Sequence, residues 1–173
     1  AVAPEGTRLT LADGRKLIDG VASWWSACHG YTPPHTRDAV TAQAQQMPHV
    51  MLAGLANEPA FTLAKRLAAL TPDGLDRVFF SESGSVSVEI AMKMAAQYWL
   101  NQGETAKTKF ICFNGAYHGD TIAAMAVGDP EDGIHGRFAG LVPSQPRTPL
   151  PRDDVSRDAF ETSVSQHAAA SAA

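Results

Sequence analysis

The segment Arg77-Val-Phe-Phe-Ser-Glu-Ser-Gly-Ser-Val-Ser-Val-Glu-Ile-Ala-Met-Lys-Met-Ala-Ala-Gln-Tyr-Trp-Leu100 changes character twice. Val78-Phe79-Phe80 is a short apolar run of the kind that forms a buried strand. Ser81-Glu82-Ser83-Gly84-Ser85 breaks it with small polar residues that favour a tight turn and offer helix caps. From Val86 the apolar positions Val86, Ile90, Met94 and Tyr98 recur at helical spacing. A strand, a Gly-Ser turn and a helix in that order gather free backbone N–H groups at one point, where the helix dipole adds positive charge. The turn therefore reads in two ways, as an ordinary cap or as an anion site. Glu82 beside it weighs toward the cap.

The flanking segments extend this pattern. Asn101-Gln102-Gly103 stops the helix, and Lys109-Phe-Ile-Cys-Phe113 reads as a second strand. A helix between two strands forms a βαβ unit with parallel strands, whose ligands sit at the carboxyl ends of the strands. That predicts the Ser83-Gly84-Ser85 turn and the loop Asn114 to Thr121 on one edge. Upstream, Asp13-Gly14 between alternating runs predicts a hairpin over Thr7 to Gly20. Pro33-Pro34 marks a turn, with helices from Arg37 to Met47 and from Glu58 to Leu70. Asn57 is the cap of the second, and Phe61, Leu63, Ala64, Leu67 and Leu70 are its core stripe. Downstream come a short helix over Thr121 to Val127, a proline-spaced irregular stretch from Gly128 to Arg152, and a helical tail that runs out in alanines.

Composition narrows the class. The 173 residues are 45% hydrophobic and 18% charged, an ordinary globular balance. A formal charge of −4 offers no basic patch for nucleic acid, and no apolar run is long enough to span a membrane. Cys28 and Cys112 are isolated, which fits a reduced, cytoplasmic setting. The six histidines show no metal-ligand spacing. No nucleophile elbow, Walker-type loop or dinucleotide fingerprint occurs. The chain starts without Met and ends in a low-complexity tail, as a cut or processed sequence does. Adjacent Trp24 and Trp25 read either as core or as the lining of a cleft. A phosphate-sized turn, Tyr117 on the neighbouring loop and a tryptophan pair together suit a planar phosphorylated cofactor.

Ser23-Trp24-Trp25, His29-Gly30-Tyr31, Ser83 to Glu89, Met92 to Ala95 and Tyr117-His118-Gly119-Asp120-Thr121 resemble, in order and spacing, the class III pyridoxal 5'-phosphate (PLP) aminotransferases, and among them the branch that serves biotin biosynthesis. The resemblance runs from about Leu9 to Pro130, with fainter similarity to the end. It implies an α/β fold: an N-terminal hairpin segment over 1–45, then over 46–173 an incomplete fold-type I large domain, three-layered with a mostly parallel sheet. It implies PLP as cofactor, S-adenosylmethionine and 8-amino-7-oxononanoate as substrates, 7,8-diaminononanoate as product, and a homodimer. Gly84 and Ser85 would hold the cofactor phosphate, Tyr117 would stack on its ring and border the substrate, and Trp24 and Trp25 would line the substrate pocket. Asp120 would order the Tyr117 loop, and Met51 to Leu55 resembles a segment that approaches the partner subunit's site. Gly128-Asp129-Pro130 departs from the family's Cys-Asp-Pro, and Pro33-Pro34 from His-Pro. None of Lys16, Lys65, Lys93, Lys107 and Lys109 has the glycine-rich surroundings of the family's cofactor-bearing lysine, so no catalytic residue is assigned and the chain alone is expected to be inactive. Another ω-amine aminotransferase of the class, and a non-catalytic module that keeps the phosphate turn for binding or assembly, are the alternatives.

Overall fold

In the computed structural model, which describes residues 1–131 and 133–170, the hairpin forms where the alternation places it. β2 (Arg8–Thr10) and β3 (Lys16–Ile18) pair antiparallel with Leu9 opposite Leu17. β1 (Ala3–Glu5), which the sequence did not announce, adds a third strand on β2. Gly14 turns the chain at φ 86°, a value that strains a residue bearing a Cβ. The chain separates into two compact units, Ala1–Val78 and Phe79–Ala173.

In the first unit, α1 (Pro34–Gln46) starts three residues earlier than expected. Pro33-Pro34 is therefore the head of the helix rather than a turn before it, because a proline in the first turn lacks only an N–H that would go unpaired anyway. α2 (Glu58–Leu70) has the expected bounds, with Asn57 Oδ1 accepting the Ala60 N–H at 2.9 Å. Its stripe does not become a core: Phe61, Leu63, Leu67 and Leu70 are all exposed. No residue of this unit is buried, so no side chains within these residues close over that face.

The second unit holds what core there is. α3 (Gly84–Asn101) is the long helix. The anticipated βαβ unit is not formed: Val78-Phe79-Phe80 pairs with no strand among the described residues. A strand exists only against a neighbour, and an apolar run cannot supply one. Of Lys109 to Phe113 only β4 (Cys112–Phe113) is paired, in parallel with β5 (Arg147–Thr148). β5 lies inside the stretch expected to be irregular, as does a 3-10 turn at Gly136–Phe138. α4 (Ile122–Ala126) buries Ala124, Met125 and Ala126, and Cys112, Val127 and Thr148 are buried too. Asp129 fixes the region: its Oδ2 accepts the Gly115 N–H at 2.6 Å, and its own N–H donates to the Ala116 carbonyl at 2.8 Å. α5 (Asp154–Ala170) follows, with His167 Nε2 3.1 Å from the Arg147 carbonyl oxygen. The last alanines of the tail lie outside the described residues. Among the described residues, no helix is long and apolar enough to cross a membrane.

Candidate functional site

α3 begins where it does because Ser83 is extended and its hydroxyl accepts the Val86 N–H at 3.2 Å. The Ser87 N–H closes the first helical bond onto the Ser83 carbonyl. Those two bonds leave the N–H groups of Gly84 and Ser85 without a partner among the described residues, at the positive end of an 18-residue helix. A Cβ at Gly84 would meet nothing within 4 Å. Two free donors beside open space fit a phosphate group.

The side chain of Ser85 turns toward the loop after β4. Its Oγ accepts the Asp120 N–H at 3.2 Å and so retains its own proton for another acceptor. Gly119, buried and at φ +113°, passes so close that a Cβ there would stand 1.8 Å from Ser85 Oγ. One helical turn on, Glu89 Oε1 accepts the Ala123 N–H at 2.8 Å, capping α4, whose own N-cap Thr121 makes no side-chain cap bond. The Thr121 hydroxyl first, then the Ala123 and Ala124 amides, hold the Glu89 carboxyl below its usual range. Of these the Ala123 bond has the firm geometry, whereas Thr121 Oγ1 lies outside hydrogen-bonding geometry.

Tyr117 stands on the same loop and is 56% exposed. Its hydroxyl donates to Asp120 Oδ1 at 3.0 Å, and His135 Nε2 lies 2.8 Å from that same oxygen. The Tyr117 and His135 rings stack, with centroids 5.5 Å apart and planes at 21°. The His135 contact first, then Tyr117, keep the Asp120 carboxyl below the usual carboxylate range, and Asp120 in turn raises the Tyr117 phenol. Gly84, Ser85, Tyr117 and Asp120 are thus one cluster, linked through the Ser85–Asp120 bond.

Trp24 and Trp25 belong to the first unit, where they are 77% and 80% exposed and not core. They close a left-handed turn, Ala22 to Trp25 at φ 51°, 47°, 55° and 68°, which for residues with a Cβ costs about 1–2 kcal/mol each. Asp19 holds it. Its Oδ1 accepts the Val21 N–H at 3.0 Å, and its Oδ2 accepts the Ser23 N–H at 2.8 Å and the Tyr31 hydroxyl at 2.5 Å.

Three residues went unread in the sequence. Glu89 carried a usable signal, because Ser85 and Glu89 are polar residues four apart on an apolar helix and share one face. Asp19 carried a weaker one, an Asp-Gly beside two aromatics. His135 carried none, since its partners lie 15 and 18 positions back.

The site is thus an aromatic loop bonded to an open helix mouth, in the unit that holds a parallel strand pair. The family model for class-III aminotransferases matches residues 2–172, and the chain belongs to that family. The chain is 44% identical to the adenosylmethionine-8-amino-7-oxononanoate aminotransferase of Mycobacterium leprae, covering 96% of this chain and 40% of that protein. The crystal structure of the enzyme of that name from Methanocaldococcus jannaschii superposes with a TM-score of 0.89 at 37% identity, over 95% of this chain and 37% of that one. A PLP-bound amine transaminase from an uncultivated Pseudomonas species superposes at 0.83 with 26% identity, over 97% and 40%. The fold is therefore part of a fold-type I aminotransferase, and the chain spans about 40% of the length of these relatives.

Proposed function

We propose that these residues form the cofactor-phosphate corner of a PLP-dependent aminotransferase of biotin biosynthesis, which moves an amino group from S-adenosylmethionine to 8-amino-7-oxononanoate and yields 7,8-diaminononanoate. The observation that carries the reading is the Ser85–Asp120 bond, which ties two unpaired helix amides to the loop of an exposed tyrosine. The amides of Gly84 and Ser85 and the Ser85 hydroxyl would hold the phosphate, each as a donor to its oxygens. Tyr117 would cover the ring, with Asp120 fixing its hydroxyl. When bound, the cofactor supplies the electron-withdrawing ring that carries the amino group between substrates. Trp24 and Trp25, presented on their left-handed turn, would bind the apolar part of the keto acid and the adenosyl group of the donor.

In the same reading the domain boundary falls at residues 45 and 46, the whole protein is a cytoplasmic homodimer, and the lysine that bears the cofactor lies outside these residues. Lys107 is engaged over the Trp99 ring at 3.5 Å from its centroid, and Lys93 is exposed one helical turn beyond Glu89. The chain alone should then leave no stoichiometric lysine adduct after PLP and borohydride, and a specific adduct would overturn that part. For the whole protein, the test is formation of 7,8-diaminononanoate with S-adenosylmethionine as donor. Turnover with simple ω-amines and none with S-adenosylmethionine would refute the substrate assignment.

A further inference from the structure

We propose that His135 is a positioning residue that backs the Tyr117 ring and, through Asp120, fixes its plane, so that a planar ligand can stack only on the face opposite His135. This rests on the reading of Tyr117 as the cofactor's ring partner. The geometry is a closed triangle. Tyr117 bonds Asp120, Asp120 bonds His135, and the His135 ring lies on the Tyr117 ring. Asp120 Oδ1 accepts at both bonds, because an ionised carboxylate has no proton to give. Nε2 of His135 therefore carries its hydrogen and is committed to Asp120.

Of the three side chains only His135 is buried, at 6% exposure, while Tyr117 and Asp120 face solvent. The buried member is the anchor and the exposed two are what it holds. Its own seat is tight: the Phe138 N–H donates to the His135 carbonyl at 2.8 Å, and a Cβ on Gly136 would come within 2.7 Å of the Pro130 carbonyl. Pro130 follows Asp129, which pins Gly115 and Ala116 just before Tyr117. The tyrosine is thus fixed at its backbone by Asp129 and at its ring by His135. Gly115 and Gly119 on either side of it, both at positive φ, would otherwise let the loop turn freely. His135 is the only ring stacked on Tyr117 among the described residues, and more than half of the Tyr117 surface stays exposed.

His135 does no chemistry in this arrangement, and its effect must pass through Tyr117. A double-mutant cycle on the whole holoenzyme tests that, read as the Kd of PLP and as the circular dichroism induced in its absorption band. Replacing His135 by Ala should weaken PLP binding about tenfold and shrink the induced band, whereas the same change on a Tyr117→Ala background should add nothing. H135F, which keeps the stacking, and H135Q, which keeps a donor, should each recover part of the loss. These two also serve if H135A fails to fold. Equal losses on both backgrounds, or a loss with Tyr117→Ala and none with any His135 variant, would overturn the proposal and leave the Tyr117 reading standing. If Tyr117→Ala binds PLP as tightly as the parent, or the parent binds none, the underlying reading fails and takes this one with it.

Discussion

The two units of this chain are specified in opposite ways. Up to Val78 the described order comes largely from bonds between near neighbours: the hairpin ladder, Asp19 on Val21 and Ser23, Asn57 on Ala60. From Phe79 on, the decisive bonds cross long stretches of sequence: Ser85 to Asp120, Glu89 to Ala123, Phe110 to Gln145 and Cys112 to Pro146. The first unit buries no residue, and the second buries Ala124 to Ala126 of α4 with Cys112 and Thr148 of its two short strands. Local chemistry can set the shape of a segment without a core, but placing two loops against each other takes packing and non-local bonds.

The sharpest way to break this contrast is Gly119→Ala. A methyl group there would stand 1.8 Å from Ser85 Oγ and 3.1 Å from Ser85 Cα, at a φ of +113° that disfavours any side chain. Ser85 can rotate, but its backbone cannot, and the bond to Asp120 would be lost. Clash and φ strain together should cost the second unit about 3 kcal/mol. Urea unfolding followed by the near-ultraviolet signal of Tyr117 and its neighbours checks it, and the hairpin of the first unit should keep its own hydrogen-exchange protection. An equal loss in both units would show that they are not separately specified.

Protonating Asp19 tests the local unit. Its carboxyl is held below the usual range, by the Tyr31 hydroxyl first and the Ser23 N–H next. A depressed folded pKa means that its contribution is complete above the unfolded value near 3.9 and is lost as pH falls through the lower, folded one. The tryptophan circular dichroism of Ala22 to Trp25 should therefore be flat from neutral pH down to about pH 4 and fade below it. In Asp19→Asn the acid-sensitive part should vanish and the signal at neutral pH should already be reduced. An unchanged spectrum in the variant would mean that the left-handed turn stands without the carboxylate.

What the sequence disclosed follows the same division. Asp13-Gly14, Asn57 with Pro59, and Ser83-Gly84 announce a turn and two helix starts because their partners lie within a few residues. The start of α1 departs from expectation for a local reason, since a Pro pair serves a turn and a helix head equally well. Val78 to Phe80 had strand composition but no strand beside it, and β5 hid in a proline-spaced stretch because two residues become a strand only by pairing with Cys112 and Phe113. Gly84, Ser85, Tyr117 and Asp120 lie within the motifs that carry the family resemblance, and the Asp120–Tyr117 pairing is what that resemblance implies. The buried His135 that bonds Asp120 and stacks on Tyr117 lies 15 residues beyond Asp120 in the chain, where no spacing rule reaches.

The smallest effect expected is at Asn57, and it bears most directly on whether a surface helix of the first unit is specified locally. Replacing it by Ala removes the acceptor of the Ala60 N–H and frays the first turn of α2. A lost cap of this kind costs about 1 kcal/mol. Gly at the same position should restore most of it, because Gly is tolerated as an N-cap through its backbone. With Phe61 and Leu67 exposed, no packing among the described residues compensates, so the whole loss should appear as faster amide exchange at Ala60 and Phe61. If exchange there were unchanged while the second unit weakened, α2 would be held by contacts beyond its own cap, and the division between local and distant control would fall at that helix.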